Sequence, residues 1–453
     1  MEKDNYSVEK NSSIKDALKN INANASGLVF IKEKKKVIGV VTDGDIRRAL
    51  IKNKDINALI STIMNKKFIY LYHEEDTREN ILKLLDTRIR AIPVLSKSME
   101  LVRVVTQKSI NWNESSEIIS KAKSPVRITF SGGGTDLTTY FYKANGIVFN
   151  ATINKFTHAV LKKRNDNEIH ITSYDMNEEI KYANLADLKL DGKLDLIKSV
   201  ILSLGPDFGF NLTTYSDVPP GSGLGGSAVL ASAIIGAFNN FREIKLDLYE
   251  ISELAFHAER IVLNLNGGWQ DQYATVFGGF NYIEFNDSGN IVNPLKIRDD
   301  IKAELEDSLL LCYTGKNHNS GDIHEDIKKE IKSESPKIYA EKSKDIANQM
   351  KARILQGRLD DFGELLGQAW DAKKMFSKKI TNSYLNKIYD YGIKSGALGG
   401  KLLGAGDGGY FLFYVPENKK LNFIDSIKKK KLSIEPITFD DNGLRSWVVK
   451  KKI

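Results

Sequence analysis

The chain has 453 residues, 42% hydrophobic and 27% charged, with a net charge of +8, as expected for a soluble protein of about three domains. Its single cysteine, Cys312, excludes an internal disulfide and a multi-cysteine metal site, and fits a reducing compartment. The lysine runs at 34–36, 428–431 and 450–452 carry no interleaved aromatics, so they read as solvated faces and a tail, not a nucleic-acid surface, while the positive bias suits anionic substrates.

The N-terminus is polar, with no apolar leader. Residues 1 to about 115 carry a weak internal repeat: segments 14–18, 27–31 and 37–46 recur as 78–85, 89–95 and 101–110. Each copy predicts helix, strand, hairpin, strand, helix, and two such units can bury each other's sheets. The sharpest segment is Gly39-Val40-Val41-Thr42-Asp43-Gly44-Asp45-Ile46; the second copy has Thr106 but puts Ser109 where Asp45 sits. The repeat resembles a tandem pair of cystathionine-β-synthase-type (CBS) modules. The resemblance implies that Thr42 and Asp45 hold an adenosine ribose, and that the second site is degraded, leaving one adenine nucleotide per pair or none. A purely structural or dimerising module, and with it a homodimer, is the other reading.

Segment 111–123 is polar and reads as a linker. A new domain starts at 124, with a strand at 126–130 and further strands at 147–163 and 168–173. Helices are expected at 193–204, 227–242, 247–264, 336–356, 358–370 and 382–395, and a buried strand over 408–415. The longest apolar stretch, 228–238, is too short to span a bilayer, so no membrane partner and a cytoplasmic location are expected.

The most informative stretch is Pro219-Pro220-Gly221-Ser222-Gly223-Leu224-Gly225-Gly226-Ser227-Ala228. Its glycines clear Cβ atoms from a tight loop, so that successive backbone N–H groups can point at one spot. An apolar helix follows at once. A glycine-rich loop opening a helix is an anion site, because free N–H groups and the positive end of the macrodipole coincide there. No Gly-Lys-Ser/Thr closes it, as a Walker A loop requires, and no acidic partner marks a Rossmann unit. Taken alone, a turn capping a core helix is the alternative.

Three more glycine-rich segments accompany it: Ser131-Gly132-Gly133-Gly134-Thr135-Asp136-Leu137, Gly267-Gly268-Trp269-Gln270-Asp271-Gln272-Tyr273, and residues 399–409 around Lys401. Together they resemble the galactokinase, homoserine, mevalonate and phosphomevalonate (GHMP) kinase superfamily. Within it they look like the D-glycero-D-manno-heptose 7-phosphate kinase branch, with fucose-salvaging kinases nearby. The resemblance implies an α+β fold of two lobes. The N-lobe, 121–300, resembles domain 2 of ribosomal protein S5; the C-lobe, 301–453, is ferredoxin-like; the CBS pair occupies 1–115. It also implies ATP and Mg²⁺ as cofactors, and a sugar phosphate as partner. The reaction the resemblance implies is phosphorylation of a heptose 7-phosphate at its anomeric hydroxyl, toward nucleotide-activated heptose and surface polysaccharide.

Residue roles follow from that resemblance. Phosphoryl transfer needs positioned charge more than covalent chemistry. Pro220, Gly221, Ser222, Gly223, Leu224, Gly225, Gly226 and Ser227 would wrap the ATP phosphates, with Ser227 and Glu259 as Mg²⁺ ligands. Asp271 would accept the sugar hydroxyl proton. Arg127 stands where relatives carry a lysine near the γ-phosphate, and its guanidinium forks onto phosphate oxygens. Gly133, Gly134, Thr135 and Asp136 would approach the sugar, and Gly406 belongs to a loop closing the site, where Asp407 caps. Open alternatives are a surface acid for Glu259, a helix cap for Asp271 and a strand-edge residue for Arg127. Branch members carry Thr-Gly-x-x-Arg-x-Ser where this chain has Thr314-Gly315-Lys316-Asn317-His318-Asn319-Ser320, with Lys316 as a replacement point charge. A kinase of an unphosphorylated sugar such as fucose is the second enzyme reading. A nucleotide-sensing regulatory protein is the third, and the intact Asp271, Ser227 and Glu259 count against it.

Overall fold

A computed structural model describes residues 3–85, 89–106, 116–316 and 334–452. It divides into two compact units, Met1–Ser115 and Ser116–Ile453.

In the first unit the repeat is one of topology. Copy one runs β1 (Ser7–Glu9), α1 (Ile14–Asn24), β2 (Leu28–Glu33), β3 (Lys36–Thr42) and α2 (Asp43–Ile51). Copy two runs β4 (Leu71–Tyr72), α3 (Arg78–Leu84), β5 (Ala91–Leu95) and β6 (Leu101–Thr106). Each forms a three-stranded sheet with a parallel first pair and an antiparallel hairpin. The opening strands β1 and β4 are too short to show alternation, so the sequence pattern did not reveal them. The helix expected around Ser109 lies outside the described residues. Strand alternation sorts β2 between two cores: Val29 and Ile31 pack with Ile14, Val41 and Ile60, while Phe30 meets Ala91 and Leu95 of the second copy. The two copies thus bury each other's sheets.

The second unit opens with β7 (Ser116–Ser131), α4 (Thr138–Ala144), β8 (Gly146–Lys163), β9 (Ile169–Ser173), β10 (Glu178–Tyr182), α5 (Asp195–Leu204) and β11 (Phe210–Ser216). Next come α6 (Gly226–Asn239), α7 (Leu248–Phe256), α8 (Gln270–Phe277), β12 (Phe280–Asn286) and β13 (Gly289–Pro294). The strands form one sheet in the order β10-β9-β11-β8-β12-β13, with β7 also paired to β8. Helix α6 is buried almost all round, as its Ala/Ile/Val composition demands.

The C-terminal lobe comprises α9 (Asp299–Ser308), β14 (Leu309–Tyr313), α10 (Glu334–Leu355), α11 (Leu359–Lys374) and α12 (Ser383–Lys394). It continues with β15 (Gly399–Leu402), β16 (Tyr410–Tyr414), α13 (Glu417–Lys429) and β17 (Ser433–Pro436). Its sheet has the order β15-β16-β14-β17, every neighbour antiparallel. With helices between its first and second and its third and fourth strands, this is the ferredoxin-like arrangement. Among the described residues no helix is long and apolar enough to cross a membrane.

Three expectations are corrected here. The lysine run at 450–452, exposed at Lys450 and Lys451, is no tail: Arg445–Lys452 forms β18, which returns to the first sheet and pairs with β7, Arg445 opposite Lys123 and Lys451 opposite Glu117. A C-lobe drawn as 301–453 therefore contains a strand of the other lobe's sheet. The segment read as a linker to residue 123 is β7 from Ser116 onward, held by the same ladder. The helix expected over 247–264 stops at Phe256 and continues as a π-turn, His257–Val262.

The ladder makes a testable demand. Ser120 donates its buried hydroxyl to the Ala237 carbonyl (2.7 Å) and accepts from Asn240 (2.9 Å) at the end of α6. A chain starting at Lys121 loses this bridge and five rungs of β7, and is expected to melt about 3–6 °C below one starting at Ser116. Equal thermal midpoints would show that those rungs contribute nothing.

Candidate active site

Two glycine-rich loops, 221–226 and 403–409, meet backbone on backbone. In the 221–226 loop, Gly221, Gly223 and Gly225 have positive φ (73°, 83°, 82°) while Ser222 and Leu224 between them do not, an alternation that turns N–H groups to one side. A Cβ on Gly223 would stand 2.9 Å from the Leu403 carbonyl oxygen, and one on Gly404 2.5 Å from the Gly223 Cα. The Tyr410 N–H donates to the Ser222 carbonyl (3.2 Å), and the Arg127 N–H to that of Leu224 (3.2 Å). Helix α6 starts at Gly226 with no side-chain cap on Gly225, and its first helical bond is from Val229 N–H to the Gly225 carbonyl. The N–H groups of its first turn are therefore open to an anion. Ser227 is exposed in that turn; Ser222 and Leu224 are buried, and Pro220 is exposed at the loop entrance.

Beside this loop lies a cleft of about 810 Å³, mouth included, between β7, α8, α11 and the 403–405 loop. Arg127 and Asp271 face each other in it. The buried guanidinium donates to both Asp271 oxygens at 2.8 Å, and its third nitrogen to the Gly223 carbonyl at 2.6 Å. Asp271 lies within the first turn of α8, whose N-cap is Trp269, so the cap alternative falls away. Arg127 lies beyond the β18 ladder, which ends at Lys123, but it is no exposed edge residue: it pairs with Thr152 of β8, its N–H donates to the Leu224 carbonyl, and its side chain is buried. Gly225 backs the pair, where a Cβ would approach both groups at 3.4 Å.

Asp136 is also buried, and accepts from the N–H groups of Gly134 (2.9 Å) and Gln270 (3.1 Å). Burial, then the nearby Asp271 charge, raises its carboxyl above the usual range against those hydrogen bonds. Gln270 is fixed by the Thr129 hydroxyl, which donates to its Oε1 at 2.7 Å. Ser343 of α10 holds the 131–134 turn, accepting from the Gly132 N–H at 3.0 Å. Gly133, Gly134 and Asp136 line the cleft; Thr135 and Gly406 do not. Thr135 is fully buried, its hydroxyl engaged with the Gly132 and Ile147 carbonyls, so it holds the turn. Gly406 packs on the Ile380 backbone, where a Cβ would come within 2.7 Å. Asp407 accepts from Asn382, the N-cap of α12, at 3.0 Å, a bracing contact.

Sequence reasoning assigned no role to four cleft residues. Lys401 is buried, donating to the carbonyls of Thr129 (2.8 Å) and Phe130 (3.1 Å). Lys373 donates to those of Leu402 (2.8 Å) and Gly404 (2.6 Å). Arg260 and Gln270 complete the set. Burial, then the Arg127 charge, pushes Lys401 down to about 7. Burial, then the charges of Lys401 and Arg127, holds Lys373 well below the ordinary lysine value. A lone lysine inside the otherwise apolar strand β15 was the available signal for Lys401.

Glu259 is no surface acid. It is fully buried in the π-turn, a feature frequent at functional sites. Gln272 of α8 donates to its Oε2, while Oε1 has no hydrogen-bond partner and lies 3.8 Å from an Arg260 nitrogen. Lys316 stacks over the Tyr384 ring at 5.0 Å; His318 lies outside the described residues. In the first unit, Thr42 and Asp45 form a capping box on α2: the Thr42 N–H and hydroxyl donate to Asp45 Oδ2 (2.9 and 2.7 Å), and the Asp45 N–H donates back (3.2 Å). Burial opposes ionisation of Asp45, but the hydrogen bonds from Thr42 and Arg48 outweigh it and lower its carboxyl.

The chain matches the GHMP kinases N terminal domain over residues 195–279 and the GHMP kinases C terminal model over 350–430. The CBS domain model matches twice, over 1–52 and 60–111. The chain is 39% identical over 333 residues to the D-glycero-alpha-D-manno-heptose 7-phosphate kinase of Campylobacter jejuni, covering 72% of this chain and 98% of that protein. It is 32% identical to the L-fucokinase/L-fucose-1-P guanylyltransferase of Bacteroides fragilis, covering 65% of this chain and 34% of that one. The crystal structure of a D-glycero-D-manno-heptose 1-phosphate kinase from Bacteroides thetaiotaomicron superposes with a TM-score of 0.61 at 33% identity, covering 72% of this chain and 98% of that one. The glycine loops, the Arg127–Asp271 pair and this likeness over nearly the whole length of a relative agree: the chain belongs to the GHMP kinase family, and carries a pair of CBS domains ahead of the kinase.

Proposed function

We propose that this sugar kinase transfers the γ-phosphoryl group of ATP to the anomeric hydroxyl of a heptose 7-phosphate, a step toward nucleotide-activated heptose for surface polysaccharide. The observation that carries the proposal is the 39% identity spanning 98% of a heptose 7-phosphate kinase. The cleft supports it. Four basic side chains, Arg127, Arg260, Lys373 and Lys401, line the cleft with two carboxylates, Asp136 and Asp271, which suits a sugar already bearing phosphate. Fucose is the second substrate, on the 32% likeness to a fucokinase.

Family membership implies ATP as donor. Residues 221–227 offer its phosphates backbone N–H groups and a helix N-terminus, with Pro220 at the loop entrance. Arg127 stands at the rim of that loop, where its charge stabilises the transferring group. Asp136 and Gln270 orient sugar hydroxyls, and Asp271 accepts the proton of the attacking one. ADP release across heptose, heptose 7-phosphate and fucose tests the proposal. The highest kcat/KM belongs to heptose 7-phosphate; a higher value with fucose would overturn it.

Glu259 and Ser227 are hard oxygen donors of the kind Mg²⁺ takes, and Glu259 Oε1, which accepts no hydrogen bond among the described residues, fits a cation ligand. Bound there, Mg²⁺ supplies charge neutralisation on the donor phosphates. Ser227→Ala and Glu259→Gln are each expected to raise the Mg²⁺ concentration for half-maximal rate by roughly tenfold, one lost oxygen ligand each. Unchanged Mg²⁺ titrations remove both from a metal site.

For the CBS pair we place one adenine nucleotide at Thr42 and Asp45, with Asp45 leaving part of its capping role to meet the ribose. Calorimetry on the full chain with the kinase site saturated by ADP should show one further AMP site, weakened about tenfold by Asp45→Asn, the value of a charged hydrogen bond. No further heat leaves the capping box as the whole role of these residues.

A further inference from the structure

Lys373 and Lys401 are arranged in a way that their structural contacts do not explain. An ammonium has three N–H donors. Among the described residues, each of these two uses a pair on backbone carbonyls: Thr129 and Phe130 for Lys401, Leu402 and Gly404 for Lys373. Neither meets a carboxylate, though both line the cleft. Two lysines without a carboxylate partner beside Arg127 are costly as cations: burial and then the Arg127 charge lower Lys401, and burial and then the Lys401 and Arg127 charges lower Lys373. Two carbonyls fix each nitrogen and leave one N–H of each without a protein acceptor among the described residues, on side chains that line the cleft. Such a preorganised pair of donors is matched by a doubly charged anion with several acceptor oxygens.

We propose that Lys373 and Lys401 form a clamp for a phosphate dianion within the cleft. The proposal rests on the kinase reading only for the source of that dianion: the terminal phosphate of the nucleotide, or the phosphate ester already on the sugar. The charged groups that line the cleft with Lys401 are Arg127 on β7, Lys373 on α11, Asp271 on α8, Asp136 on the 131–137 turn and Arg260 on the π-turn. Burial and the Arg127 charge keep Lys401 partly neutral in the free protein, so an arriving dianion draws a proton onto it.

Binding calorimetry on the full chain tests this with two ligand pairs: the non-hydrolysable analogue AMP-PNP against ADP, and heptose 7-phosphate against heptose. The affinity ratio within each pair isolates one phosphate. Lys373→Met and Lys401→Met are each expected to lower one ratio by roughly 10- to 100-fold, the loss of a charged hydrogen bond. A fall confined to the nucleotide pair assigns the clamp to the γ-phosphate; a fall confined to the sugar pair assigns it to the substrate ester. At pH 8, wild type should take up a proton with the clamped ligand and Lys401→Met less, as read from two buffers of different ionisation heat. Both ratios within about twofold of wild type in both variants overturn the clamp. Wild type that ignores heptose 7-phosphate defeats the heptose assignment alone, since the nucleotide pair still decides the clamp. Should wild type prefer neither phosphate-bearing ligand, the clamp falls with it.

Discussion

Asp271→Asn is expected to lower kcat by roughly 10²- to 10⁴-fold, the range of a lost general base, with the KM for ATP nearly unchanged. The carboxylate lies in the cleft with both oxygens on Arg127. Asparagine keeps the shape and one acceptor, but cannot take the proton of the attacking hydroxyl. It also leaves a buried guanidinium without its counter-charge, which weakens the fold. The bond from Arg127 to the Gly223 carbonyl remains, so the variant should fold with a lowered melting temperature. Kinetics on the folded fraction decide the matter: a near-normal kcat would remove Asp271 from the chemistry.

Gly268→Ala is expected to destabilise the kinase by about 2–4 kcal/mol, in the range of severe overpacking. A Cβ there would lie 1.9 Å from Asp136 Oδ2 and 2.4 Å from its Cγ. Asp136 cannot swing away without abandoning the N–H groups of Gly134 and Gln270. The Trp269 N–H donates to the Asp136 carbonyl (3.2 Å), so the turn and the start of α8 must move together. What activity survives should show a raised KM for the sugar. Gly226→Ala is the contrast, since a Cβ there meets nothing within 4 Å and alanine favours the helix. Equal denaturation midpoints for the two variants would contradict the packing between Gly268 and Asp136.

The glycine loops were legible because their backbone leaves no choice of residue. Positive φ at 221, 223 and 225 and the backbone contact between Gly223 and Gly404 both demand glycine. The long helices were legible from apolar spacing. What escaped did so for physical reasons. Strand β18 is rich in lysine, and its partner β7 lies far away in sequence, so no local pattern marks it. Helix α8 begins inside a glycine-rich segment and has only eight residues. The π-turn that buries Glu259 differs from a helix by one residue per turn, below what spacing resolves. Lys401 and Lys373 work from carbonyl cradles made by three-dimensional packing. Thr135 was read as a sugar contact because it sits between residues that line the cleft; its own side chain points under the turn.

The most direct measurement is ³¹P NMR of the product formed from ATP and heptose 7-phosphate. The proposed reaction gives a bisphosphate whose new phosphorus signal is coupled to the anomeric proton, beside the retained 7-phosphate. A new phosphate on any other carbon, or ADP formation with no second phosphate on the sugar, would contradict it.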